Sequence, residues 1–79
     1  MQKEEVFEMV IRHAREVVPG LEEHRFEPSQ SLKDLGANSI DRSEIVMMTL
    51  ESLSLKMALV ETARAANIGE LVNILHAKL

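Results

Sequence analysis

Apolar residues near the start of the chain recur at the three- and four-residue spacing of one helix face. The residues that share this spacing are Phe7, Val10, Ile11, Ala14, Val17 and Val18. Mostly charged residues lie between them, as on the solvent side of a helix that packs against a core. Pro19 ends the pattern, because the residue before a proline avoids helical backbone angles and proline donates no hydrogen bond. The spacing therefore predicts a first helix that stops before Pro19.

The stretch 19–37 has no sustained period, so we predict a long loop between the first and second helices. Apolar residues scattered through it are expected to hold the loop against a helical core, namely Leu21, Phe26, Leu32 and Leu35. Ser31 and Asp34 have the spacing of a capping box, which favours a single helical turn there. Connections of this length within a small domain are uncommon and are often functional.

A second helix is predicted from Ile40 to Leu53, a run that contains neither glycine nor proline. Asn38 is a favourable N-cap residue, and Asp41 three positions later can complete a variant of the capping box. The side chains expected on its buried face are Val46, Leu50 and Leu53, with Ile45 and Thr49 on either side of them.

The remainder of the chain predicts one short and one longer helix. Glu61–Ala66 favours a short third helix. Asn67 then offers an N-cap with Glu70 three positions on. In the longer helix that this cap begins, apolar residues repeat at helical spacing, namely Leu71, Val72, Ile74 and Leu75. No segment alternates with the period of a strand. The predicted fold class is all-α: a small four-helix bundle, with three main helices plus one short helix, in a single domain spanning 1–79.

Composition removes several classes of function. The 79 residues are 46% hydrophobic, enough for one folded domain, and carry a net charge of −4. The absence of cysteine excludes disulfides, cysteine-ligated metals and thiol nucleophiles. Two aromatic residues and an acidic balance argue against nucleic acid as a partner. No apolar run is long enough to span a bilayer and no signal peptide is evident, so we expect no membrane partner and a cytoplasmic location.

The residues offer little support for catalysis or metal binding. His13, His24 and His76 are far apart, without the spacing that brings two ligands onto one helix turn. We therefore expect surface histidines and no metal site. Phosphate-binding glycine loops and the nucleophile motif of hydrolases are also missing.

One segment, Asp34–Asp41, stands out because it places a serine, Ser39, at the N-terminus of the predicted second helix, shortly after the flexible Gly36. An exposed hydroxyl there lies beside free backbone N–H groups and the positive end of the helix dipole, which favour an attached phosphate. Two interpretations of Ser39 are open from these residues alone. It is either an ordinary cap-region serine or the site of a phosphoryl or phosphodiester modification.

The segment Leu35–Asp41, reading LGANSID, resembles the LGADSLD motif of acyl carrier proteins. The order of predicted helices matches that family over nearly the whole chain. The resemblance implies that Ser39 carries covalent 4′-phosphopantetheine, added by a phosphopantetheinyl transferase. It further implies a carrier without catalytic activity of its own, expected to be a monomer, that holds an acyl group as a thioester.

Two departures from the motif point to a particular kind of carrier. Asn38 stands where the family usually has aspartate, and Arg42 adds positive charge where acid is common. The run from Asp41 to Glu51 is more similar to freestanding carriers of polyketide and antibiotic β-branching pathways. That resemblance implies a donor that presents an acetyl or malonyl group to an enzyme resembling HMG-CoA synthase. Further partners it implies are an acyltransferase and a decarboxylating ketosynthase-like enzyme.

The face that docks on partner enzymes is, by the same resemblance, the exposed part of the second helix. Its predicted residues are Ile40, Asp41, Arg42, Glu44 and Met47. Met47 and Met48 lie about 100° apart around a helix, so at least one of them is expected near the surface. A short acyl cargo would require no large internal cavity.

Three other functions are compatible with parts of this pattern. A general fatty-acid or peptidyl carrier would also use Ser39, although Ala37–Asn38 departs from the residues usual before the serine in peptidyl carriers. An unmodified helical adaptor or docking domain would use Ser39 only at the helix start. A helix-turn-helix DNA-binding domain is disfavoured by the net charge of −4 and the absence of a basic stripe.

Overall fold

The computed structural model describes all 79 residues and contains helices but no strand. The helices are α1 (Lys3–Val17), α2 (Ser39–Ser52), α3 (Leu59–Thr62) and α4 (Ile68–His76). The predicted all-α fold, with three main helices, one short helix and a long loop after the first helix, is confirmed.

The core forms where α1 packs against α2 and α4, while α3 bridges α2 and α4 at one side. Most of the predicted stripe is buried, namely Val10, Ile11 and Ala14 on α1 and Val18 at its C-cap. Phe7 and Val17 are only half-buried, and Val6 is fully buried in their place. The buried face is therefore rotated slightly from the one that the spacing predicted. On α2, Val46 and Leu50 are buried as predicted, whereas Leu53 is half-buried. The flanking Ile45 and Thr49 are fully buried, so here too the buried face is rotated from the predicted one.

The long loop is held against α1 by aromatic and cationic contacts. Phe26 is buried, and the guanidinium of Arg15 lies 5.4 Å from the centre of its ring. Arg15 also donates a hydrogen bond to the His24 carbonyl oxygen at 3.1 Å. The predicted turn forms, with the Asp34 N–H donating to Ser31 Oγ at 3.0 Å. Leu21 and Leu32 are buried as well, so apolar residues do anchor this loop.

The prediction of surface histidines is wrong for His13, which is 7% exposed. Its Nδ1 lies 3.1 Å from Glu16 Oε1, and its Nε2 lies 2.9 Å from Ser52 Oγ. His13 falls on the buried stripe between Val10 and Ala14, where the ring packs while its two nitrogens keep polar partners. Histidine, cysteine and carboxylate side chains form no cluster that could hold a metal ion.

The predicted position of the short third helix is also wrong, because α3 spans Leu59–Thr62 instead of Glu61–Ala66. Thr62 Oγ1 donates to the Leu59 carbonyl oxygen at 2.6 Å, and this local bond competes with continuation of the helix. Beyond it the chain must turn so that Asn67 can begin α4. The ammonium of Lys78 lies 3.1 Å from a Glu61 carboxylate oxygen, and this hydrogen-bonded partner holds the pKa of Glu61 below its usual value.

Candidate functional site

The start of α2 is closed by a reciprocal pair of hydrogen bonds. The Asp41 N–H donates to Asn38 Oδ1 at 2.8 Å, and the Asn38 N–H donates to Asp41 Oδ2 at 3.2 Å. The capping box predicted from these two residues is therefore confirmed. It makes Ser39 the first residue of the helix, with an exposed side chain.

A tight turn sets the direction in which the chain approaches this cap. Gly36 has a φ of +104°, in the left-handed region that favours glycine. The next residue, Ala37, is 2% exposed and donates from its N–H to the Leu32 carbonyl oxygen at 3.0 Å. Because Ala37 is anchored in this way, Asn38 and Ser39 emerge from a fixed point at the protein surface.

Two backbone N–H groups at the start of α2 have no acceptor in the protein. They belong to Ser39 and Ile40, while the other two groups of this first turn are used by the capping box. Unpaired N–H groups at a helix start carry partial positive charge and bind anions, phosphate groups in particular. A phosphodiester on the Ser39 hydroxyl would lie beside both of them.

Ser39 lines an open groove of about 410 Å³. Its walls come from the 31–33 turn, from α2, from α3 with the residues after it, and from the start of α4. Side chains that line it include Lys33, Ser43, Val46, Leu59, Thr62 and Ala66. Sequence patterns did not identify this groove, because its walls come from distant segments and each segment contributes small or ordinary residues. A flexible group attached at Ser39 has a surface channel to follow and needs no enclosed cavity.

The residues predicted for partner docking fall into two groups. Ile40, Glu44 and Met47 are exposed and have the spacing of a single helix face. The two apolar residues of this face have large exposed fractions, 75% for Ile40 and 54% for Met47. Met48 is half-buried, so Met47 is the methionine that faces solvent.

Asp41 and Arg42 instead take part in the local structure of the helix start. Both are half-buried. Asp41 belongs to the capping box, and Arg42 Nη1 donates to the Ala37 carbonyl oxygen at 2.8 Å. Substitution of either residue would therefore alter the start of α2 as well as the charge of its surface.

Comparisons with known proteins identify the class to which this fold and site belong. The family described as "Phosphopantetheine attachment site" matches residues 11–75, a segment that includes the whole helix start described above. The chain therefore belongs to this family of carrier proteins. It is a carrier and not an enzyme, and its cofactor is covalently attached 4′-phosphopantetheine.

Two relatives match this chain over all or nearly all of their length. The polyketide biosynthesis acyl carrier protein AcpK of Bacillus subtilis (strain 168) is 48% identical over 79 residues, which cover 100% of this chain and 96% of that protein. A chain in the crystal structure of the HMG synthase of the curacin biosynthetic pathway, in complex with acetyl donor acyl carrier protein, is 46% identical. It superposes with a TM-score of 0.94 over 99% of this chain and 100% of that one.

None of the four helices combines the length and apolar character that crossing a lipid bilayer requires.

Proposed function

We propose that this chain is a donor acyl carrier of a polyketide pathway, with 4′-phosphopantetheine attached to Ser39. The observation that carries the proposal is an exposed serine hydroxyl at the first position of α2, beside two unpaired N–H groups. In a chain of the phosphopantetheine family, this position suits the phosphodiester better than any other serine.

The other serines lack one or more of these features. Ser31 Oγ accepts a hydrogen bond from the Asp34 N–H, and Ser52 Oγ is hydrogen-bonded to His13. Ser43 is exposed and lines the same groove, but it lies one turn inside α2, where backbone N–H groups are used by the helix. Ser43 is therefore the best internal control for Ser39.

The modification is a phosphoryl transfer from coenzyme A, catalysed by a phosphopantetheinyl transferase. Ser39 Oγ bonds to the phosphorus, the bond to the adenosine 3′,5′-bisphosphate leaving group breaks, and the hydroxyl proton passes to the transferase. The arm supplies a terminal thiol that carries acyl groups as thioesters, a group that this cysteine-free chain lacks. The residues around Ser39 hold the attachment point outside the core, and tethering raises the effective concentration of the acyl group at a docked enzyme.

The donor role is supported by the two relatives. One is an acyl carrier protein of polyketide biosynthesis. The other is a chain in the crystal structure of an HMG synthase in complex with acetyl donor acyl carrier protein. We infer an acetyl group, derived from malonyl, as the cargo and an enzyme resembling HMG-CoA synthase as the recipient. The acyltransferase and the decarboxylating ketosynthase-like enzyme remain proposed partners upstream of that step, and the cytoplasm remains the proposed location.

The exposed face formed by Ile40, Glu44 and Met47 is the proposed docking surface. It starts one residue after Ser39 and combines apolar side chains with negative charge. A few exposed apolar side chains suit a weak complex. Surface charge speeds the encounter of the two proteins without making their complex long-lived. A carrier requires both properties, because it must leave one enzyme for the next.

The attachment site is tested by intact mass after incubation with coenzyme A and a broad-specificity transferase. We expect the native chain and Ser43→Ala to gain one phosphopantetheine, and Ser39→Ala to gain none. An unchanged mass of the native chain with an active transferase would favour the adaptor interpretation instead.

The donor role is tested by offering the acetyl-loaded carrier to an HMG-CoA-synthase-like enzyme. Glu44→Lys is expected to slow acetyl transfer at least about threefold, because it reverses charge on the docking face. Glu8→Lys, an equal change at an exposed position of α1, is expected to leave the rate unaltered. Failure of the native carrier to transfer acetyl would indicate a general fatty-acid or peptidyl carrier.

A further inference from the structure

Arg42 differs from every other cation of the chain in its degree of burial. It is half-buried, whereas all the other lysines and arginines are exposed. In a helix, side chains lean towards the N-terminus, so Arg42 lies over the turn that contains Ser39. A cationic side chain is thereby withdrawn from solvent at the point where the proposed arm begins.

The guanidinium of Arg42 is fixed but not neutralised. Nη1 donates to the Ala37 carbonyl oxygen at 2.8 Å, and this is its one hydrogen bond to the protein. No carboxylate lies within 4.0 Å of it, since the ion pairs of the chain are His13–Glu16 and Lys78–Glu61. A guanidinium has five N–H donors, so most of its donors remain free for an anion.

A second cation shares the same opening. Lys33, on the turn before α2, lines the groove together with Arg42 and Ser39. Neither cation has a carboxylate partner, although the chain as a whole has a charge of −4. Two cations without carboxylate partners thus line the same groove as Ser39, although Asp34 and Asp41 are their neighbours in sequence.

We propose that Arg42, with Lys33 as a second cation, binds the phosphodiester that joins the arm to Ser39. The inference rests on the proposed attachment of phosphopantetheine to that serine. Arg42 is three residues after Ser39, the separation at which helical side chains are neighbours. Charge-assisted bonds from a guanidinium to phosphate are strong and directional.

This contact has a consequence for the path of the arm. With its phosphate drawn towards Arg42 and Lys33, the arm leaves Ser39 along the groove and not away from the protein. Arg42 and Lys33 are then positioning residues. They favour a state in which the arm rests on the carrier, and an enzyme that uses the acyl group must draw the arm out of that state.

The test compares Arg42→Gln in the unmodified chain and in the chain that carries phosphopantetheine. The intact mass first verifies the attachment, so a failure of the proposed function is recognised before any stability is measured. If Arg42 binds the phosphodiester, the substitution raises the unfolding constant of the modified chain about fivefold more than that of the unmodified chain at low salt. Added salt should reduce this difference, because the charges lie near the surface.

Matched variants separate the proposal from a purely structural role. If Arg42 served only to bond the Ala37 carbonyl oxygen, both forms would be destabilised equally, and that result overturns the proposal. Arg12→Gln removes an exposed arginine on α1 and is expected to affect both forms equally. Arg42→Lys keeps the positive charge and should restore part of the difference.

A spectroscopic measurement keeps the test decisive if Arg42→Gln fails to fold. Lys33→Gln changes an exposed side chain outside the helices, so it should fold normally. In the modified chain it is expected to shift the phosphorus resonance of the phosphodiester, whereas Arg12→Gln is not. An unshifted resonance with Lys33→Gln would refute the role of Lys33, and equal stability losses of Arg42→Lys in the modified and unmodified chains would refute that of Arg42.

Discussion

Helices α2 and α4 begin with the same local chemistry but differ in what surrounds it. Each has an asparagine cap followed three positions later by an acid. In α2 the Asp41 N–H donates to Asn38 Oδ1 at 2.8 Å, and in α4 the Glu70 N–H donates to Asn67 Oδ1, also at 2.8 Å. By sequence alone, either helix start could hold an anion.

The long loop prevents the start of α4 from holding an anion, because it bonds the N–H groups that an anion would need. The Ile68 N–H donates to the Gln30 carbonyl oxygen at 2.9 Å, and the Gly69 N–H donates to the Pro28 carbonyl oxygen at 2.8 Å. Glycine permits this approach, because a Cβ at position 69 would lie 3.2 Å from both Pro28 Cβ and its carbonyl oxygen. The corresponding N–H groups of α2, at Ser39 and Ile40, have no such acceptors.

A helix start becomes a binding site only where the fold leaves its N–H donors free. A cap sets the geometry of the first turn, but the fold decides whether the remaining donors bond the protein or stay free for a ligand. The 28–30 segment closes one helix start, and only the other one meets solvent with a hydroxyl at its first position.

Hydrogen exchange should show the largest contrast. The amides of Ile68 and Gly69 are expected to exchange at least about a hundredfold more slowly than those of Ser39 and Ile40, because only the former are hydrogen-bonded within the protein. NMR of the unmodified chain in deuterated solvent measures the exchange rates of all four amides. Similar rates at the two helix starts would contradict the comparison.

The apolar residues beside the two caps should differ in their contribution to stability. Ile68 is 1% exposed and Ile40 is 75% exposed. Ile68→Ala is therefore expected to lower the free energy of unfolding by about 2–5 kcal/mol. Ile40→Ala should change it by less than about 0.5 kcal/mol, as is usual for surface positions. Urea denaturation of both variants provides the measurement, and a large effect at Ile40 would show that this face is covered in solution.

The smallest expected effect concerns the charge of the cap. Asn38→Asp places a carboxylate beside the proposed phosphodiester, so it should be less favourable in the modified than in the unmodified chain by about 0.5 kcal/mol. Asn67→Asp makes the same change at the closed helix start and should act equally on both forms. The free energy of unfolding of each variant is measured with and without phosphopantetheine. Equal effects of Asn38→Asp in both forms would place the phosphate elsewhere.

Local patterns determined much of the fold. The spacing of apolar residues, Pro19 and the two asparagine caps predicted three helices, because helix periodicity, proline and capping act within a few residues. The same reasoning failed for the short third helix and for His13. His13 meets Ser52 on another helix, a partner distant in sequence. The third helix ends early because Thr62 bonds the Leu59 carbonyl oxygen, a local contact that the spacing of apolar residues does not reveal.

The sequence by itself determined the three main helices, the cap before Ser39 and the motif that resembles the carrier family. Tertiary structure alone decided that α2, unlike α4, has an open start, that Ser39 lines a groove, and that Arg42 lies half-buried without a carboxylate partner. The physical reason is the range of the interactions. A cap is made by residues three positions apart, whereas a free donor, a groove and an unpaired cation are defined by what the rest of the chain does or does not bring near them.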